Sequence, residues 1–175
     1  MPPEEVKGLI EAFRGKYVDV ANYLQNCKDA VTDPGYLQNP WGRYRYFPVS
    51  QDNGVIAGFQ REALNFNIQA TVADTLTAAL INFYYYRKIR PEIEFKLCLS
   101  NHDAIITMCP AKHVKVMCEE VIPFCMCEAC EVPEIGLKYT LGEFDISTRW
   151  GEHTAPEELL ALGVDRKYCG FKEKK

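Results

Sequence analysis

The feature that most constrains the fold is a long helical stretch followed directly by residues with a period of two. Residues 55–88 predict either one helix with a bend or two helices in succession, and Pro91 ends them because proline cannot continue a helix. Over residues 93–100 apolar and polar side chains then alternate, which is typical of a half-buried strand. A turn at 101–104 and a return strand at 105–108 complete a predicted β-hairpin packed against helices.

The remaining elements are predicted from apolar spacing and from prolines and glycines. Apolar residues at helical spacing predict one amphipathic helix over residues 3–29. The other predictions are a short hairpin over 36–47 with its turn at 40–42, a helix from 110 towards 130 that Pro123 bends or ends, a last strand over 137–146 and a short helix near 157–162. Helices mixed with hairpins favour an α+β fold with an antiparallel sheet.

Composition excludes some classes of protein. The chain has 175 residues, 47% of them apolar and 25% charged, as in ordinary globular proteins. Its net charge of −4 argues against a compact basic protein that coats DNA. Residues 34–100, however, carry seven Lys or Arg against five Asp or Glu, so a polyanion could still bind to this part of the chain.

The start of the chain and the cysteines bear on the cellular compartment. The first residues are acidic, with no apolar run resembling a signal peptide, and we find no membrane-spanning stretch. Eight cysteines without a secretory signal indicate free thiols in a reducing compartment. We therefore expect a cytoplasmic protein that has no membrane partner.

One polar row has the spacing of a helix face. Arg61, Asn65 and Gln69 are four residues apart, so a helix places them one turn above the next. All three offer hydrogen-bond donors, and the minor groove of duplex DNA presents acceptors at similar places in every base pair. The row could therefore hold a base pair without reading sequence. The alternative is a solvated polar stripe, which is common on surface helices.

A second constellation lies at the turn of the predicted central hairpin. Asp103 would be held rigidly and exposed between two strands, beside His102. Mg²⁺ takes oxygen ligands, usually one or two carboxylates together with substrate phosphates. Two such ions can bind the attacking and leaving oxygens of a phosphoryl transfer. The alternative is an ordinary turn, since Asn and Asp favour turns for backbone reasons.

Together these motifs resemble family A DNA polymerases, the group of bacterial DNA polymerase I and its phage relatives. The family has a Gly-Arg-x-Arg hairpin, an Arg-x-x-x-Asn-x-x-x-Gln helix leading into Ala-Asp, a His-Asp-Glu palm hairpin and a Gly-x-x-Trp ending. This chain shows Gly42-Arg43-Tyr44-Arg45, the row at Arg61, Asn65 and Gln69, Ala73-Asp74, His102-Asp103 and Trp150-Gly151. The similarity extends from about Glu4 to Glu152 and implies an antiparallel palm-type sheet.

The resemblance also implies roles for individual residues. Asp103 corresponds to a catalytic aspartate that binds Mg²⁺, and His102 to the residue that touches the primer 3′ end. The row at Arg61, Asn65 and Gln69 corresponds to minor-groove contacts. Arg43 and Arg45 correspond to contacts with the duplex backbone. The implied reaction is the addition of deoxynucleoside triphosphates to a primer on template DNA in a two-ion site.

The chain also departs from the family pattern. Ala104 stands where the family has Glu, and Ala70 where it has Gly. The first palm motif (Asp-Tyr-Ser-x-x-Glu) and the fingers motif are not found in the sequence. Residues 143–147 resemble that first motif but come after the hairpin, so we interpret them as the last strand rather than assign a catalytic role to Asp145. One carboxylate cannot build a two-ion site.

These departures predict a polymerase divided between two polypeptides. This chain would be the carboxy-terminal subunit, inactive without a partner that carries the missing motifs, in a bacterial cell or a phage-infected host. An expression fragment, a decayed gene product or a non-catalytic DNA-binding or assembly module would give the same pattern. We expect a palm segment over 1–152, consisting of a leading helix (1–30), a hairpin and loop (31–54) and a palm core (55–152), and a charged tail over 153–175.

Two further clusters have competing interpretations. Cys118, Cys125, Cys127 and Cys130 could bind zinc, but their spacing is unusual for zinc sites and favours buried or partly exposed thiols. The tyrosines at 84–86 could stack on bases. We instead predict that they pack in the core, next to a basic cap formed by Arg87, Lys88 and Arg90.

Overall fold

A computed structural model describes residues 2–139, 145–149, 151 and 154–169. The chain forms two compact units, Met1–Thr71 and Val72–Lys175. Within these described residues, three antiparallel two-stranded sheets accompany the helices, which confirms the predicted α+β class with antiparallel pairing. No helix of the described residues combines the length and apolar character needed to cross a membrane.

The first unit begins with two helices where the sequence predicts one. Helix α1 spans Pro3–Lys16 and α2 spans Val18–Asp29. Tyr17, between them, has φ −116° and ψ 67°, which is outside the helical region. The break follows Gly15, a residue that weakens helices because its backbone is unusually free when unfolded. The prediction of a single leading helix is therefore wrong.

A short hairpin follows in the predicted place. Strand β1 (Tyr36–Gln38) pairs antiparallel with β2 (Tyr44–Tyr46). Buried Asn39 closes the turn, because its Oδ1 accepts hydrogen bonds from the backbone N–H groups of Trp41 (3.1 Å) and Arg43 (2.9 Å). Gly42 has φ 84°, a conformation that glycine adopts without steric cost.

Helix α3 is one continuous element, Asn53–Ile89, of 37 residues. Asp52 stabilises its start, since its Oδ1 accepts a hydrogen bond from the N–H of Gly54 at 2.7 Å. Its first part, in the first unit, packs in a small core with the hairpin. This core contains buried Val31, Phe47 and Ala63 and partly buried Leu37, Ile56 and Phe59. The sequence left one or two helices open, and the structure has one.

The second unit holds the rest of α3 and the central hairpin. Strand β3 (Lys96–Asn101) pairs antiparallel with β4 (Ala104–Met108), with an irregularity between Leu97 and Leu99. The predicted alternation of buried and exposed residues is confirmed just before β3, where Ile93 and Phe95 are buried. They belong to a core that also contains buried Phe83, Tyr86, Met117, Val121 and Cys125.

The segment after the hairpin is helical, but most of it is not α-helix. A 3₁₀ turn (Ala111–His113) and the short α4 (Val114–Val116) lead into π-helical turns at Met117–Val121 and Phe124–Glu128. Pro123 lies between the two wide turns and keeps helical angles, φ −57° and ψ −45°. Proline lacks an N–H and disrupts the regular α-helical hydrogen bonds, and wide turns on both sides accommodate it.

The end of the chain differs from the prediction of a strand over 137–146. Strand β5 (Glu131–Val132) pairs with a two-residue β6 (Leu137–Lys138), and residues 145–147 are not in a strand. Residues 140–144 of that prediction lie outside the described part. Helix α5 (Pro156–Ala161) agrees with the predicted short helix. Within the second unit, α5 contributes to another core, separate from that of Phe83, which consists of buried Val114, Cys118, Leu159, Val164 and Cys169.

Candidate nucleic-acid interface

The polar row lies on the exposed surface of α3 within the first unit. Arg61, Asn65 and Gln69 are all exposed, one helical turn apart. They line one shallow groove of about 430 Å³. The groove is completed by Arg45, Glu62, Phe66 and Ala70. The helix therefore brings the three predicted side chains together, as its period requires.

The three side chains of this row are free to bind. Among the described residues, none of them forms a hydrogen bond or ion pair through its side chain. Their donors need no rearrangement to meet acceptors on a ligand. A groove with unpaired guanidinium and amide donors can accept a surface rich in oxygen and nitrogen acceptors, such as a nucleic-acid minor groove.

Arg45 lines the same groove and forms an ion pair with Glu62. The Arg45 Nη2 atom lies 2.5 Å from Glu62 Oε2, and the Arg45 guanidinium carbon lies 5.8 Å from the Phe47 ring centroid. Both charged side chains are about half exposed, so the ion pair is weak and a phosphate can compete for the arginine. No local sequence pattern predicts Glu62 as the partner of Arg45, because only the fold brings these residues, 17 apart in the chain, into contact.

The other predicted arginine is placed differently. Arg43 is exposed just before β2, but it does not line the groove. Its backbone N–H is used in the turn, where it donates to Asn39 Oδ1. Of the two arginines that the sequence treats as a pair, only Arg45 lines the groove.

The central hairpin of the second unit presents His102 and Asp103 at its tip. Asn101 pairs with Ala104, so these two residues alone form the turn, and both are exposed. His102 has φ 52°, an uncommon conformation for a residue with a side chain, although histidine adopts it more often than most. The turn fixes the Asp103 carboxylate where an ion can reach it.

One carboxylate does not make a metal site. No group of three or more His, Cys, Asp or Glu side chains is placed to hold an ion anywhere in the described ranges. Mg²⁺ needs close to six oxygen ligands in octahedral geometry. The residues present therefore do not fit a complete Mg²⁺ site, and Asp103 supplies at most one ligand of a shared one.

The cysteine cluster has the character of buried thiols. Burial raises the pKa of Cys118 to about 11 and that of Cys125 to about 12, so both stay protonated near neutral pH. The Cys130 thiol lies 3.0 Å from the Cys125 carbonyl oxygen and 3.2 Å from Asn82 Nδ2. These contacts involve protein groups, and the geometry gives the zinc interpretation no support.

The tyrosines at 84–86 divide between core and surface. Tyr86 is buried in the second unit, and its hydroxyl donates to Glu120 Oε1 at 2.5 Å. Tyr84 and Tyr85 are 54% and 59% exposed, so the prediction that all three pack in the core is wrong for these two. Successive helix residues point about 100° apart, so three in a row cannot all face one core.

Comparison with known proteins identifies the class. The model of the family described as DNA polymerase family A matches residues 1–152, which is most of the chain. The chain therefore belongs to DNA polymerase family A, as its motifs predict. Enzymes of this family use Mg²⁺, and DNA polymerase I is a nucleotidyltransferase.

Particular relatives agree with this family. DNA polymerase I of Lactococcus lactis subsp. lactis (strain IL1403) is 29% identical over 124 residues, covering 68% of this chain and 14% of the relative. DNA polymerase I of Geobacillus stearothermophilus is 27% identical over 121 residues, covering 67% of this chain and 14% of that protein. The chain thus spans about one-seventh of the length of these curated relatives.

A solved structure has the same fold. The POL domain of Pol1 from M. smegmatis, in complex with DNA primer-template and dNTP, matches with a TM-score of 0.66 and 27% sequence identity. The match covers 74% of this chain and 23% of that one. The mixed helices and small antiparallel sheets described above are therefore part of a polymerase-domain fold.

Proposed function

We propose that this chain is the carboxy-terminal palm part of a DNA-directed DNA polymerase. In this role it binds primer-template DNA and a deoxynucleoside triphosphate, and a second chain supplies the first palm motif and the fingers. The observation that carries the proposal is the family match over residues 1–152, in which the Arg61, Asn65 and Gln69 row is exposed and unpaired in one groove.

The groove provides the DNA-binding half of this function. Asn65 and Gln69 donate hydrogen bonds to base-pair acceptors in the minor groove near the primer end, with Arg61 beside them. Such contacts depend on base-pair geometry rather than on sequence, because the acceptors occupy similar places in all base pairs. Arg43 and Arg45 contact the duplex backbone, which positions the duplex without specifying its sequence.

The hairpin tip provides one part of the catalytic half. Asp103 acts as one carboxylate ligand of a Mg²⁺ site whose other ligands come from the second chain. His102 hydrogen-bonds near the 3′ end of the primer. The reaction is attack of the primer 3′-hydroxyl on the α-phosphate of the deoxynucleoside triphosphate, which forms a phosphodiester bond and releases pyrophosphate. Asp103 is the residue of this chain that would hold Mg²⁺, and a bound ion would supply stabilisation of the negative charge that develops during phosphoryl transfer.

Primer extension tests this proposal. It is measured with the chain alone, with the polypeptide that co-purifies with it from its host, and with Asp103→Asn in the same mixture. We expect extension only with both chains and a loss of about a thousandfold in the variant, since a metal ion contributes several kcal/mol to the transition state. Asp19→Asn, which changes an exposed acid on α2, is the matched control. Equal extension by Asp103→Asn would exclude the metal role.

A second candidate is a non-catalytic module that binds duplex DNA or assembles a replication complex. Ala104, in the place of the family glutamate, favours it, as does the single carboxylate at the tip. This candidate predicts that the chain binds primer-template DNA and that no extension appears with any co-purifying polypeptide. The same assay therefore separates the two candidates.

A further inference from the structure

Three tyrosines cluster on the outer face of the β1–β2 hairpin. Tyr36 pairs directly with Tyr46 in the ladder, and Tyr44 lies two residues before Tyr46 on the same face. Their ring centroids lie 5.5 Å (Tyr36 and Tyr44), 5.9 Å (Tyr36 and Tyr46) and 5.7 Å (Tyr44 and Tyr46) apart. The last two rings are stacked, with 13° between their planes. The three rings form one continuous aromatic surface, which we call the tyrosine face.

The tyrosine face is open to solvent. Tyr36 is 39% exposed, Tyr44 is 48% and Tyr46 is 66%. The opposite face of the hairpin holds Leu37 and Arg45, and Leu37 packs on the small core of the first unit. The hairpin therefore buries one face and leaves its aromatic face outward. Core packing does not explain why three rings are there.

The charge of this region favours an anionic ligand. Residues 34–51, between Asp33 and Asp52, contain two arginines and no acidic residue. Arg45 lies on the opposite face of the hairpin and pairs with Glu62, so Arg43 is the cation of this segment assigned to the tyrosine face. Arg43 stands next to Tyr44 in the sequence and is exposed. Exposed rings beside cations are how proteins hold single-stranded nucleic acid, because bases stack on the rings and the cations attract the backbone.

We propose that the tyrosine face binds single-stranded DNA by stacking unpaired bases on Tyr36, Tyr44 and Tyr46. The inference rests on the proposed function in one respect, because a primer-template has an unpaired template strand that can serve as this ligand. It adds a binding surface distinct from the minor-groove row on α3. Stacking accepts every base, so this binding has little sequence preference.

The experiment measures binding of the full chain to a fluorescein-labelled single-stranded oligonucleotide of mixed sequence, by fluorescence anisotropy. We expect Tyr44→Ala with Tyr46→Ala to weaken binding by about tenfold or more, since both substitutions remove a ring on which a base stacks. Tyr44→Phe with Tyr46→Phe keeps the rings and retains most of the binding. The phenylalanine variant separates stacking from any contribution of the hydroxyl groups.

The chain offers a matched control in Tyr84 and Tyr85. Their ring centroids lie 5.5 Å apart, and they are 54% and 59% exposed, but they lie on α3 in the second unit. We expect Tyr84→Ala with Tyr85→Ala to bind the oligonucleotide as the unchanged chain does. Equal weakening by both alanine pairs, or no weakening by the hairpin pair, would overturn the proposal. Circular dichroism checks that each variant is folded.

A second ligand distinguishes failure of this inference from failure of the proposed function. Blunt duplex DNA has no unpaired bases, so the hairpin variants should bind it normally, whereas Asn65→Ala with Gln69→Ala should bind it weakly. In one outcome, Asn65→Ala with Gln69→Ala loses blunt-duplex binding, and Tyr44→Ala with Tyr46→Ala binds the single strand normally. This outcome supports the proposed function and refutes the tyrosine face. The reverse result supports the tyrosine face and refutes the minor-groove row.

Discussion

The groove on α3 and the tip of the central hairpin differ in how complete they are. The groove of the first unit gathers three unpaired donor side chains with Arg45 and Phe66 in one concave surface. The tip of the second unit presents one exposed carboxylate and one imidazole, with no further ligands grouped around them among the described residues. A single helix can build a binding row by its own period, whereas a metal centre needs acids from several chain segments. DNA binding by the groove can therefore be tested without a second chain, whereas the proposed metal site needs ligands beyond those grouped among the described residues.

The largest effect that we expect concerns the core supporting the hairpin tip. Phe83 is fully buried in the second unit, and its ring lies 6.0 Å from that of Phe95, just before β3. Phe83→Ala should lower the free energy of unfolding by about 3–5 kcal/mol, because it leaves a cavity in the core. Phe13→Ala, on the exposed surface of α1, should change it by less than about 0.5 kcal/mol. Urea denaturation measures both, and similar values would show that the assigned core is wrong.

The next effect distinguishes the groove from a merely solvated surface. Asn65→Ala or Gln69→Ala should weaken binding to the primer end of a duplex by about 1–3 kcal/mol, because each would remove one of the hydrogen bonds to a base that we propose. Asn22→Ala, which removes an exposed amide from α2, is the matched control and should leave binding unchanged. Footprinting and anisotropy measure the effect. A footprint insensitive to both substitutions in the row would mean that these residues are only surface.

A smaller effect is the pH dependence of the folding stability of the second unit. Burial, and then the hydrogen bond to Glu120, raise the pKa of Tyr86 to about 12 from an ordinary value of 10. As pH rises, the Tyr86 hydroxyl therefore loses its proton in the unfolded chain before it does so in the folded chain. The stability that the protonated hydroxyl contributes is complete below pH 10 and is lost as pH rises towards 12. The raised pKa values of buried Cys118 and Cys125 likewise lower the stability as pH rises above 9.

Thermal unfolding between pH 8 and 12 measures this dependence. The melting temperature should fall as pH rises, and Tyr86→Phe should show a shallower fall between pH 10 and 12, since phenylalanine cannot ionise. Tyr85→Phe, at an exposed position, serves as the comparison and should follow the unchanged chain. If Tyr86→Phe shows the same slope, the tyrosine is not the group that titrates.

The smallest effect concerns the ion pair at the edge of the groove. Glu62→Gln removes the acid that holds Arg45 and leaves the arginine available to phosphate, so duplex affinity should rise by up to about 1 kcal/mol. The gain should shrink at high salt, because exposed charges are screened. Anisotropy titrations at two salt concentrations measure it. Weaker binding in Glu62→Gln would mean that the acid positions Arg45 for the duplex.

Local patterns predicted the elements that depend on neighbours in sequence. The turn at Gly42, the hairpin carrying Asp103 and the helix that displays Asn65 all follow from residue type and period, and the structure contains them. Patterns failed where the outcome depended on packing. The break at Tyr17 and the wide turns around Pro123 are examples, since small differences in backbone energy decide them.

The candidate site was also predictable only in part. The sequence identified the row at Arg61, Asn65 and Gln69 because the helical period alone puts these residues on one face. It did not identify Glu62 as the partner of Arg45, nor the separation of Arg43 from the groove. Contacts across 17 residues depend on how the hairpin lies on α3, and no local pattern encodes that arrangement.

The sequence by itself determined the family, the first two hairpins with the long helix between them, and the residue types at the row and at the tip, because motifs and periods are local properties. Only the tertiary structure decided which side chains of the row are unpaired, which tyrosines face solvent and how few acids of the described residues accompany Asp103. The physical reason is that exposure and pairing depend on contacts between segments distant in the chain, which form only when the core is packed.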